Sequence, residues 1–504
     1  MTLQCGMFGV TFLGHQGWIV RSGDACVLVD PLLCEKFGAI HALEYSVHPP
    51  RVLRPEAFPA IDAVILSHEH DDHFDIPSLA RLDRRIPIYL SAHSSIAAFG
   101  ILREMGFVAR PLVPGVPLEL GDLEVIPFSG DHLSVNCADE WDALPLLIRD
   151  KGGAGSFFTM VDVMLVPAHV EWAKAYVSRP GLVTWSNNAL DWSHMGDEPA
   201  RDVGTEQCLR SMAAGHHLIS TAWGKPSAML ICAGGFAFHG EQDWFNQRVF
   251  WVDTDAVCRH LSAVRKDERF FSALPGQTFW MEGNRLTKVE ESTPFLGVAP
   301  RAQWPARGRI ARADIPDYLP ATGRRDLAAG EAGELHERLN QLAAALVGGI
   351  LFRSLHSMLA VEARGRKPTF ALVLRHGSHG AAQVLEYDAS ACAFVPGVAV
   401  DTRNVYLAGW ECWATDLLAV LNAEIGPIAL MFGRARIWNM LPQRFRFDLL
   451  EGFTRLSHPL TRPAEYLRNY ERLWDRSRDV TPTFAARLGQ RAASFASTTP
   501  QPMG

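Results

Sequence analysis

Cysteine is sparse and scattered in this 504-residue sequence: nine residues, with no Cys-x-x-Cys pair and no Cys-x-His followed by Cys-x-x-His. That absence excludes zinc ribbons and a built-in Rieske iron–sulfur cluster. The odd, unpatterned count reads as reduced thiols in a cytoplasmic protein rather than a disulfide framework. Long apolar runs are missing as well, and no stretch approaches the length of a membrane span. The opening Met1-Thr2-Leu3-Gln4-Cys5 has no basic region, and Gly9 and Thr11 interrupt Phe8 to Leu13, so no signal peptide is expected. Nor is there an excess of positive charge: 48 Lys and Arg against 55 Asp and Glu leave a net charge of -7. A nucleic-acid-binding face would need a basic stripe, so the expected partner is a small-molecule substrate.

What is there is ordinary globular composition, 48% hydrophobic and 20% charged, with 14 Trp and 27 Phe to fill large cores. The length exceeds what one core organises, so at least two domains are expected. Val10-Thr11-Phe12-Leu13 and Ala25 to Asp30 read as two strands of a hairpin joined around Ser22-Gly23-Asp24. Ala63-Val64-Ile65-Leu66-Ser67 is a continuous apolar run, suited to a strand buried on both faces, and a helix begins at Ile76. Strand and helix continue to alternate through Ile86–Ser91, Ser94–Gly106, Leu123–Phe128 and Gly155–Asp162. After Thr293 the composition turns to Pro, Arg, Ala and Gly, which marks a linker. The expected organisation is a catalytic domain over 1–293, a linker over 294–330, an α+β domain over 331–485 and a disordered tail over 486–504.

The chemistry concentrates in His68-Glu69-His70-Asp71-Asp72-His73, between the apolar strand and the following helix. In extended backbone residues i and i+2 point the same way, so His68 and His70 can converge on one cation. Where the chain turns toward the helix, Asp72 and His73 swing to the other side and can hold a second cation nearby. Imidazole and carboxylate donors suit zinc, iron or manganese; zinc is the first expectation, as two divalent ions.

The pattern His-x-His-x-Asp-His, met by His68, His70, Asp72 and His73, resembles that of the metallo-β-lactamase superfamily. Phe12-Leu13-Gly14-His15-Gln16-Gly17-Trp18 with Leu28-Val29-Asp30-Pro31 is similar to one branch of it. That branch holds ascorbate-6-phosphate lactonase, the N-acylphosphatidylethanolamine-hydrolysing phospholipase D and CMP-N-acetylneuraminate hydroxylase. The resemblance covers roughly residues 8 to 290 and implies an α/β fold, the αββα sandwich, with metals at one edge between two sheets. It further implies His132 of Gly130-Asp131-His132 as a metal ligand, Asp162 as a bridging carboxylate, and His239 of Gly234-Gly235-Phe236-Ala237-Phe238-His239 as the last ligand. His216 and His217 are alternatives to His239. Asp30 and His15 fall at loop ends near the expected site, where an acidic residue can accept the remaining ring N–H of a ligand histidine. Asp191, Trp192 and His194, in a polar and aromatic loop, are candidates for a substrate pocket. In the C-terminal region, Tyr406 to Leu421 reads as a strand entering a helix capped near Thr415 and is similar to the sterol-carrier-protein-2 pattern. There Trp410, Trp413, Phe432 and Trp438 line a tunnel or fill an ordinary core.

These features imply a metal-dependent hydrolase of an ester, lactone or phosphodiester, with Asp72 holding the attacking water. The alternative from another class is a di-iron oxygenase. It would take electrons from a separate ferredoxin or Rieske partner, since the chain has no cluster motif of its own.

Overall fold

The computed structural model describes residues 6–39, 42, 45–130, 141–163, 166–187, 205–247, 252–307, 314–348, 365–426, 428–439, 459–460 and 462–487. Of the candidate site residues, His132, Asp191, Trp192 and His194 lie outside these, as do residues 488–504 of the expected tail.

Two sheets stack face to face in the N-terminal part. One has eight strands, in the order Arg285–Glu290, Thr278–Glu282, Phe8–Gly14, Gly17–Ser22, Ala25–Val29, Ala63–Leu66, Ile88–Ser91 and Ala109–Leu112. The other has seven, in the order Leu118–Leu120, Leu123–Pro127, Leu146–Asp150, Ser156–Thr159, Leu182–Asn187, Ala228–Ala233 and Phe270–Ser272. Phe8, Val10, Trp18, Val27 and Ile65 from the first meet Val125, Ile148, Phe157 and Leu230 from the second in one buried core. Helices Ile76–Ala80 and Ile96–Glu104 cover the outer face of the first sheet. Pro167–Lys174, Thr205–Trp223 and Thr254–Val264 cover that of the second, completing the αββα layering. Sheets covered on both faces need apolar residues on both faces of each strand, which is why Ala63–Leu66 is apolar throughout.

The same rule explains a strand that the sequence pattern does not reveal. Gly17–Ser22 lies between the two strands of the expected hairpin and pairs with both, Val10 opposite Val20 and Val20 opposite Val27. Trp18, Ile19 and Val20 are all buried, so no alternation marks it.

The C-terminal part holds a five-stranded sheet, ordered Ala393–Pro396, Ala381–Asp388, Lys367–His376, Tyr406–Trp413 and Ala435–Asn439. Helices Glu331–Gly348 and Ala414–Leu421 pack on it around Leu339, Leu372, Trp410 and Leu418. Trp438 is buried with Tyr406, Trp413 donates its indole N–H to Tyr318 O at 3.0 Å, and Phe432 packs instead on Phe236, Phe238 and Phe245 of the N-terminal part. These four aromatics therefore fill packed cores. Thr415 does not cap the helix; its hydroxyl donates to Arg324 O at 2.7 Å.

Contacts cross two of the expected boundaries. The stretch taken as linker is packed rather than free: Leu296–Val298 pairs with Arg51–Leu53. Asp416, fully buried, accepts the backbone N–H groups of Ala321 and Thr322 at 2.8 and 3.0 Å. A segment of the expected C-terminal domain also packs on the first sheet's helices. Helix Pro463–Ser477 buries Tyr466, Tyr470 and Trp474 against the helices over the first sheet, and Ile61 and Leu82 bridge Ala486 and Phe484. Burial decides this over chain order.

Candidate metal centre

Four strands end at one edge of the sandwich, and each hands a functional side chain to it. His15 follows Phe8–Gly14, Asp30 follows Ala25–Val29, the His68–His73 loop follows Ala63–Leu66, and Asp162 follows Ser156–Thr159. The backbone is forced into the left-handed region at His15 (φ 53°), Asp30 (φ 42°), Val161 (φ 55°) and Ala233 (φ 57°). A non-glycine residue there costs on the order of 1–3 kcal/mol, and strain of this kind persists where surrounding structure imposes it, typically at functional sites. Gly17 serves a close approach: a Cβ there would sit 3.0 Å from Asp30 O, so a side chain would push the turn carrying His15 a few tenths of an ångström from Asp30.

Among the described residues, six side chains gather into two donor groups, His68, His70 and Asp162 in one, and His15, Asp72 and His73 in the other. They adjoin at Asp162, whose Oδ2 is 3.8 Å from His68 Nε2 and 3.0 Å from His73 Nε2. In the second group His15 Nε2 is 2.9 Å and His73 Nε2 is 3.8 Å from Asp72 Oδ2. In the first, His68 Nε2 and His70 Nδ1 are 3.1 Å apart.

Behind these donors the tautomers are fixed. Asp30 is buried and accepts from Ser67 N and Ser67 Oγ, both at 2.7 Å. Its Oδ2 is 2.9 Å from His73 Nδ1, and a carboxylate only accepts, so that nitrogen carries the hydrogen. Since Ser67 spends its hydroxyl hydrogen on Asp30, its oxygen accepts from His68 Nδ1 at 2.9 Å. Both imidazoles therefore turn an Nε2 lone pair toward the centre, the arrangement a metal ligand requires.

His73 Nε2 then faces the Asp162 carboxylate at 3.0 Å, a contact between two electron-rich atoms that only a proton or a cation on the nitrogen relieves. Burial lowers the His73 pKa, but Asp72, Asp162 and Asp30 outweigh it and hold the ring well above the ordinary imidazole range. Burial also lowers His68, joined by His73 and His70. Burial raises Asp72 and Asp162, yet His73 leads the neighbours that keep both carboxyls ionised well below their usual range. Three carboxylates gathered in a nearly dry cluster need positive charge, and two divalent cations would supply it. The donor set fits such a group.

Gln16, which sequence reasoning passed over, is buried and donates its amide to Asp162 Oδ1 at 2.9 Å, to Val161 O at 2.9 Å and to Ser186 Oγ at 2.8 Å. It holds one oxygen of Asp162 so that the other faces the two groups. The sequence reading puts His15 and Asp30 together behind the ligands; in the structure Asp30 bonds Ser67 and His73, and His15 falls in the second donor group. His239 is in neither group. Its Nε2 is 2.6 Å from Ser46 Oγ, and it lines a cavity of about 590 Å³ with Arg51, Arg81 and Gln303. Of its alternatives, His216 is buried between Trp185 and Phe270 with Nε2 3.3 Å from Glu268, and His217 Nδ1 meets Arg265 at 2.9 Å. Neither helix histidine joins the donor groups.

Residues 26–216 match the family model described as Beta-lactamase superfamily domain. Uncharacterized proteins of Mycobacterium bovis and Mycobacterium tuberculosis are 34% identical over 74 residues, 14% of this chain. That match spans only 20% of their own length. Among solved structures, an isothiocyanate hydrolase from Delia radicum gut bacteria is similar over 54% of this chain and 98% of its own, at 18% identity and TM-score 0.38. CmlA, a diiron beta-hydroxylase from Streptomyces venezuelae, is similar over 55% of this chain and 54% of its own, at 19% identity and TM-score 0.36. The matched residues 26–216, which contain the His68–His73 loop and Asp162, are thus similar to the Beta-lactamase superfamily domain.

Proposed function

We propose that this protein is a dinuclear-metal-dependent hydrolase acting on an ester, lactone or phosphodiester of a small organic molecule. The observation that carries the reading is the meeting of two three-donor groups at Asp162 Oδ2, with the imidazole tautomers of His68 and His73 already set for ligation. His68, His70 and Asp162 would hold one cation, and His15, Asp72 and His73 the other. Divalent cations bound there supply Lewis-acid polarisation of the substrate and make water acidic enough to attack at neutral pH. The chain's own part is positional. Gln16 fixes Asp162, and Asp30 fixes His73 and, through Ser67, His68. The side chains of His68 and His73 are fully buried, whereas that of Asp72 is 16% exposed. Asp72 is thus placed to accept a hydrogen bond from the attacking water and aim it.

The test combines metal analysis of protein purified without added metal with turnover of a chromogenic ester, a lactone and a phosphodiester. Two zinc or manganese ions with hydrolysis of one of these support the reading. Asp72→Ala is then expected to remove turnover while the circular dichroism spectrum stays unchanged. An iron pair that consumes oxygen with an added reductant, and no hydrolysis, would replace the reading with the oxygenase and its separate electron donor.

A further inference from the structure

A second polar cluster lies behind the metal loop, and the reaction proposed above does not use it. Glu69 stands between His68 and His70, and its side chain turns away from the donors toward Ser95 and Tyr470. It is 4% exposed. Its Oε1 accepts from Ser95 Oγ at 2.6 Å and from Tyr470 OH at 3.1 Å. Its backbone N–H donates to Asp142 Oδ2 at 3.0 Å, and that oxygen also accepts from Ser94 Oγ. Tyr470 makes a further contact with the same loop, its ring edge-on to Phe74 at 5.5 Å between centroids. One side chain, 401 positions along the chain from Glu69, thus touches the loop between the first two histidines and again just after His73. Its helix is held from the other side. Asn469 donates to Ala423 O and Arg462 to Leu421 O, both at the end of helix Ala414–Leu421 in the C-terminal part.

We infer that Tyr470 is a positioning residue for the metal loop, and that helix Pro463–Ser477 thereby sets the cation affinity of the donors His68 and His70. The inference rests on the reading of the two donor groups as a metal centre. The physical reason is that His68 and His70 share a backbone with Glu69, so the direction of their lone pairs follows where the Glu69 carboxylate is held. Groups that orient ligands from behind are typically worth about 10- to 100-fold in metal affinity.

Zinc affinity of the full-length protein, measured by competition with a chromogenic chelator, tests this. Tyr470→Phe keeps the ring on Phe74 and removes only the hydroxyl; it is expected to weaken zinc binding about tenfold. Ser95→Ala removes the other side-chain donor to the same oxygen and is expected to weaken it in the same direction. Trp474→Phe is the control, since it perturbs the same helix where its ring faces Arg84 at 5.3 Å rather than the loop. It should lower thermal stability and leave zinc affinity unchanged. Wild-type affinity retained in both Tyr470→Phe and Ser95→Ala would overturn the inference, as would an equal loss in Trp474→Phe, which would mean packing alone. A wild-type protein that takes up no zinc is a different failure, that of the metal centre itself.

Discussion

Replacing Asp30 with Asn changes almost no volume, and Asn tolerates the left-handed backbone at this position as well as Asp does. The electronic change is nevertheless severe. Asp30 offers acceptors only, to Ser67 N, Ser67 Oγ and His73 Nδ1. An amide must present its NH2 to one side of this set. Facing the Oδ2 position, the NH2 meets His73 Nδ1–H, and the ring must move its proton to Nε2, where it blocks the lone pair aimed at the centre. Facing the Oδ1 position, the NH2 meets the Ser67 N–H, two buried donors in conflict. Either arrangement costs about 1–3 kcal/mol, equivalent to roughly 5- to 150-fold in an equilibrium constant. Asp30→Asn is therefore expected to weaken the binding of zinc at the His73 group by about one to two orders of magnitude. The readout is competition titration against a chelator, with bound metal counted, and circular dichroism should show an intact fold. A variant that binds two equivalents as tightly as the wild type would refute the tautomer argument, and with it the claim that Asp30 prepares His73 as a ligand.

Metal removal should destabilise the fold, because the donors mutually repel when their counter-charge is withdrawn. A cation at a hundredfold excess over its Kd adds about 2.7 kcal/mol per site. A chelator should lower the thermal midpoint and added zinc restore it, whereas His68→Ala, which keeps the His15, Asp72 and His73 group, should respond by only about one site's worth; an unresponsive wild type would count against the centre. A separate pH effect resides at His48. Burial, then the nearby Arg307 charge, depress its pKa to about 2, and its Nδ1 is buried without a hydrogen-bond partner among the described residues. A depressed imidazole leaves stability intact above the unfolded value near 6.5, and protonation of the unfolded chain then draws stability away as pH falls. Between pH 7 and 5 this amounts to about 2 kcal/mol. Urea unfolding of chelator-treated protein at both pH values should show that loss reduced in His48→Gln, and equal losses in the two proteins would exclude His48 as the cause.

Much of the N-terminal fold was legible because its strands and helices alternate with clear punctuation. The His68–His73 loop stood out because six consecutive ionisable side chains have no economical explanation in a packed core. Gln16 and Ser67 were invisible as participants, since neither titrates and each acts only through a partner distant in sequence or hidden by the turn of the chain. His239 had the right order along the chain, but order does not fix distance, and the strand Phe236–Phe238 delivers it to Ser46.

The sequence by itself determined the donor types, their spacing over one strand end, and the alternation that makes two covered sheets. These are properties of local backbone geometry, in which neighbours along the chain set what can face one side. Only the tertiary structure decided which donors share a group, that His15 stands with Asp72 and His73, and that a helix from the far end of the chain closes the back of the loop. Such pairings depend on the stacking of layers and the burial of Tyr470 and Trp474. Burial depends on every surface in contact at once, and no local pattern encodes it.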